Sequence, residues 1–203
     1  NCNAKHPISK FGTGNFETLS AGPSKDGIDV RGSLLQFHDK YYSSNIMKLC
    51  IIGKEPLATL WQYAIDKFSM VKNKKVTMPT FSEIPVIDSS NQLGKLFKVL
   101  PVRDLRNVTL FFPIKPYKYA DMYKYKPLYY ISHLLGHEGP GSICAYLKRQ
   151  GWITTLGSGS LPIVSDQALF TVEMNLTEAG ESHLMEIISI LFQYIKLLKQ
   201  SGP

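Results

Sequence analysis

A chain of 203 residues with 44% apolar and 19% charged side chains can bury one large core or two modest ones. Its formal net charge of +7 sits on scattered lysines, of which only Lys72, Lys74 and Lys75 cluster, so the footprint of a nucleic-acid binder is missing. No run approaches the roughly 18 consecutive apolar residues of a membrane helix, and the opening NCNAKHPISK has neither the apolar core nor the cleavage site of a signal peptide.

In chain order, Leu34, Phe37, His38, Tyr41 and Tyr42 recur at three-to-four spacing and predict a helix that ends at Ser43-Ser44-Asn45. KLCIIG (48–53) reads as a buried strand. Leu57, Leu60, Trp61, Ala64, Ile65 and Phe68 predict a second helix, opened by Glu55-Pro56. MPTFSEIPVIDSSNQL (78–93), rich in Pro and Ser and without a period, predicts a connector across a domain boundary.

KLFKVLPV (95–102) and NVTLFFPI (107–114) are β-rich and predict an antiparallel pair turned by RDLR. Helices are expected from about 126 to 135 and from 141 to 150, then strands WITTLGSGS and ALFTVEMNL. One long helix should start at Glu178, capped by Thr177, with Leu184, Ile187, Ile188, Leu191, Phe192, Ile195 and Leu198 as its apolar stripe. Strands grouped with helices on one side predict an α+β fold with mixed or antiparallel sheets. Asn107-Val108-Thr109 and Asn175-Leu176-Thr177 fit the glycosylation pattern, but both fall in or beside strand-like runs, where a glycan would clash with sheet packing.

The stretch HLLGHEGPG (133–141) carries the most chemistry. His133 and His137 lie at i and i+4 with Glu138 beside the second, which superficially resembles a zinc site. Gly136 stands where the inverted zinc motif H-x-x-E-H needs its Glu, and Gly136, Gly139, Pro140 and Gly141 end the helix near His137, so no metal is expected to bind here. The same glycines lack the Lys-Ser/Thr of a phosphate loop. Ser158 and Ser160 lie in LGSGS without the acid and base of a hydrolase. A peptide pairing as an added strand with Thr154–Ser160 fits these residues, as does an ordinary edge strand blunted by glycine and serine. Cys2, Cys50 and Cys144 are odd in number and widely spaced, which favours a reducing, cytoplasmic setting over a disulfide framework.

HLLGHEGPGSICAYLKRQGW, KFGTGN (10–15), KYYSSNIMKLCIIGKEPL (40–57), Pro101 to Asn107, NLTEAG (175–180) and FQYIKLL (192–198) are together very similar to the pitrilysin-type inverzincins, a family of zinc metallopeptidases. The resemblance covers almost the whole chain. It implies homologous α+β units, with residues 1–82 as the latter part of a first, catalytic unit and 83–203 as the first part of a second unit without metal. No H-x-x-E-H occurs between Asn1 and Pro203, so the resemblance makes this an internal piece of a longer zinc endopeptidase, inactive alone, with zinc bound elsewhere in the parent. A start without Met and a stop just after a helical pattern suggest the same.

Carried over by resemblance, His133, Gly136 and Glu138, with the strand Leu156, Gly157, Ser158, Gly159 and Ser160, correspond to an exosite that anchors the amino terminus of a peptide substrate. Glu138 would meet the peptide's ammonium group. Gly157, Ser158 and Ser160 replace Val, Gly and Gln of the relatives, which bears on affinity. The implied partners are peptide substrates, with neither nucleic acid nor membrane, and homodimerisation of the parent stays open. The competing expectation is a non-catalytic peptide-binding or scaffold homologue of the same fold.

Overall fold

The structure, a computed structural model, describes residues 2–10, 12–115, 117 and 119–202. Phe11 of KFGTGN and the terminal Asn1 and Pro203 lie outside the described residues. The chain divides into two compact units, one of residues 4–84 and one of residues 85–203 together with 1–3.

The first unit is helical. A π-helical turn, Glu17–Ala21, runs into α1 (Gly22–Lys25), followed by α2 (Val30–Tyr41) and α3 (Leu57–Phe68). Asp29 caps α2 by accepting the Gly32 amide at 3.0 Å, satisfying one of the free donors of the first turn. Beyond the helix, Ser43 is wholly buried because its hydroxyl accepts the Lys74 amide at 2.7 Å and donates to Asn45. The Asn45 side chain in turn donates to the Val76 carbonyl and accepts the Val76 amide, so a Ser-Asn pair fastens residues 72–76 to the end of α2.

The expected strand at 48–53 does not form. Its residues are in neither helix nor strand, among the described residues of this unit there is no strand for it to pair with, and Ile52 is 92% exposed. Apolar composition alone does not make a strand, because each amide and carbonyl needs a ladder partner. The same correction applies to 95–102, where Val99 and Leu100 are exposed and no strand is present. The residues expected to pair with it do form a strand, β1 (Asn107–Ile114), which pairs with a later segment instead.

The second unit holds an antiparallel sheet in the order β1-β3-β2, with β2 at Ile153–Val164 and β3 at Gln167–Leu176. Phe170, Val172 and Met174 of the central strand are buried at every second position, which defines one covered face. Against it pack Leu135 of α5 (Pro127–Gly136), Ile143, Cys144 and Leu147 of α6 (Ile143–Arg149), and Ile187 and Leu191 of α8 (Leu184–Ser201). Helices on one side of an antiparallel sheet make the fold α+β. Ile153 and Leu156 are both buried although three apart. A register irregularity between Ile153 and Thr155 supplies the extra residue that brings both to the core side.

The single helix expected from Glu178 is two, α7 (Glu178–Ser182) and α8, broken at His183. Thr177 caps α7 as expected, accepting the Gly180 amide at 2.9 Å. Trp152 packs against the break. Its carbonyl lies so close to Gly180 that no β-carbon fits there, and its indole stacks on the His183 imidazole, 4.6 Å between centroids and 16° from parallel. Among the described residues no helix is long and apolar enough to cross a membrane.

Candidate functional site

The stretch singled out by its histidines and glycines joins α5 to α6. Helix α5 starts on Pro127, whose fixed φ suits the first turn, and stops at Gly136; His137 is already extended at φ −63°, ψ 135°. Gly139 folds close over the His137 ring, and Gly141 takes φ +85°, a conformation glycine adopts without strain. Ser142 then caps α6 by accepting the Ala145 amide at 3.1 Å. The glycines are therefore turn-makers between two helices.

His133 and His137 are exposed, with ring centroids 5.7 Å apart. Glu138 is also exposed, and its Oε1 pairs with Lys148 Nζ of α6 at 3.3 Å. A lysine already beside the Glu138 carboxylate opposes a second, divalent cation, and among the described residues no group of three or more His, Cys, Asp or Glu could hold a metal ion. The residues here do not fit zinc.

Helix α5 lies along β2. The Ser132 hydroxyl donates to the Ser158 carbonyl, and the Ser158 hydroxyl returns a bond to the Ser132 carbonyl at 3.0 Å. Gly136 faces the same serine, its absent β-carbon position 3.9 Å from Ser158 Oγ. The structure thus brings Gly136 and the 156–160 strand together, with Glu138 two residues beyond. Strand β2 is at the edge of the sheet, and among the described residues no strand pairs with its outer side. Nothing crowds a β-carbon built at Gly157 or Gly159.

The residues differ in what they offer. Leu156 is 6% exposed, and its side chain belongs to the core, so only its backbone remains for recognition. Gly157 and Ser160 are exposed, Ser158 and Gly159 half-buried. Lys148 and Ser132 were not singled out by the sequence. Lys148 is ten positions from Glu138 and Ser132 is 26 from Ser158, so no helical or strand period relates either pair.

Residues 29–203 match the family described as Peptidase M16 inactive domain. Over 201 residues, 99% of this chain, it is 45% identical to insulin-degrading enzyme of Homo sapiens and 41% identical to A-factor-processing enzyme of Saccharomyces cerevisiae. It covers 19% of each. The crystal structure of pitrilysin superposes with a TM-score of 0.83 at 31% identity, across 100% of this chain and 21% of that one. The chain spans about a fifth of the length of these relatives. An antiparallel sheet covered on one face by helices, matched along its whole length by a pitrilysin, places the chain in the M16 peptidase family, with residues 29–203 matching the family's inactive domain.

Proposed function

We propose that the chain is a segment of a zinc metalloendopeptidase resembling insulin-degrading enzyme, in which it forms chamber wall and an anchoring exosite for the amino terminus of a peptide substrate. In this reading residues 1–82 are the latter part of the parent's first, catalytic unit, without its zinc motif, and 83–203 the first part of a second, non-catalytic unit. Zinc would be held by residues of the parent outside this chain and would there supply an activated water for peptide-bond hydrolysis. The present residues take no part in that step, since none forms the H-x-x-E-H site. Exposed Cys50, a free thiol, suits a cytoplasmic setting.

One observation carries the reading: an edge strand, on whose outer side no strand pairs among the described residues, runs beside a loop that presents an exposed carboxylate. An extended peptide can pair its backbone with β2 while its ammonium group takes the place of Lys148 against Glu138. Binding of matched free-amine and acetylated peptides tests it. Glu138→Gln should weaken free-amine peptides about tenfold, the low end for a charge-assisted hydrogen bond because Glu138 stays half in water, and leave acetylated ones unchanged. Equal binding of both peptides to both proteins would remove the anchor and leave a plain edge strand.

A further inference from the structure

A cavity of about 270 Å³ lies where α4 (Tyr119–Tyr125) meets α5, walled by Tyr117, Met122, Tyr123, Lys126 and Tyr129. Its remaining wall includes Ser160, the last residue of the exosite strand. The junction is shaped by Lys126, which holds φ +48° and ψ 42° while its amide bonds the Met122 carbonyl at 2.8 Å and its own carbonyl accepts the Tyr129 amide. A left-handed residue between two helices turns the chain sharply, so tyrosines from both helices border one hollow.

Resting on the anchor reading of Glu138, we infer that this cavity is a side-chain subsite for a large apolar or aromatic residue at the fourth position of the anchored peptide. The direction comes from α5. Its Gly136 end leads to Glu138, and its Tyr129 end shares the cavity with Ser160, so the two features lie at opposite ends of the helix. Tyr129 to Gly136 is seven helical steps, roughly 10 Å at about 1.5 Å per residue, and an extended peptide covers that in three steps of about 3.3 Å. The fourth side chain therefore arrives over the tyrosines. Tyrosines and a methionine in the lining favour an aromatic guest, and Lys126, the cationic residue among them, disfavours a basic one.

The test measures binding of free-amine peptides that differ only in carrying Phe, Ala or Lys at the fourth residue, with a second series varying the sixth. Phe should bind about tenfold tighter than Ala at position four and Lys weaker than Ala, with no such order at position six. Tyr129→Ala, at a side chain 73% exposed, should abolish the Phe preference, and Lys126→Asn, which keeps a residue tolerant of the left-handed backbone, should lift the penalty on Lys. Glu138→Gln should weaken every free-amine peptide alike and keep the order at position four. If free-amine and acetylated peptides still differ while position four is indifferent, the subsite is wrong and the anchor stands. A Phe preference equal at all positions also overturns the subsite, and loss of the amine effect removes the anchor beneath it.

Discussion

Glu138 and Lys148 form an ion pair at the surface, with side chains 65% and 36% exposed, so each is well hydrated and the pair is weak. In the proposed exosite the lysine competes with an incoming peptide ammonium for the same carboxylate. Lys148→Met should therefore tighten free-amine peptides roughly two- to fivefold and leave acetylated peptides unchanged, as titration calorimetry can read. Weaker binding of the free-amine peptide would mean that Lys148 holds Glu138 in place. In the other unit, Lys74 hydrogen-bonds and charges its way onto Asp39, holding that carboxyl below its usual value of 3.8. A depressed carboxyl contributes stability that is present above its unfolded value and lost as pH falls through the folded one. Asp39→Asn should thus lower the melting temperature slightly at pH 7, and the gap should close as pH drops below the carboxylate range. A gap that widens in acid would contradict the assignment.

At the scale of elements, what was legible in the sequence was local. Helix α3 and strand β1 lie where periodicity and β-branched content put them, because each carries its own pattern of apolar spacing. The runs at 48–53 and 95–102 carry a strand's composition without a strand's partner, and no window of sequence reveals whether a ladder neighbour exists. The break at His183 was equally hidden, and so were the contacts of Trp152, some thirty residues earlier, with Gly180 and His183 beside it. Of the candidate site, the glycine turn could be read directly, whereas the Ser132–Ser158 tie and the Lys148 pair are tertiary. Glycines that look alike in sequence should behave differently. Gly180→Ala must displace the Trp152 carbonyl and should cost about 1–3 kcal/mol or more by thermal or denaturant unfolding, while Gly157→Ala meets nothing and should leave stability nearly unchanged. Similar losses for both would refute the close approach at Trp152.

For the molecule as a whole, the two units have different resources. Residues 85–203 contain a core of eleven buried side chains around the sheet, whereas α2 and α3 bury none, and Phe37 and Trp61 stand more than half exposed. Leu191→Ala should cost about 2–5 kcal/mol, the range for a fully buried leucine, and act on the sheet-bearing unit. Irregular backbone without helix or strand fills 78–93, where one unit gives way to the other at Ile84 and Pro85. Brief proteolysis should cut first in that stretch and spare α8, because cleavage needs backbone that can extend into a protease site. Early cleavage within α8 with 78–93 intact would contradict the division.

The central claim is that a peptide's amino-terminal segment joins the outer edge of β2. Hydrogen exchange of backbone amides, followed with and without a saturating free-amine peptide, reads it most directly. Added pairing should slow exchange within Leu156–Ser160 and leave β1, the opposite edge of the same sheet, unchanged. Protection confined to β1, or none anywhere in the sheet while the peptide is bound, would contradict the account.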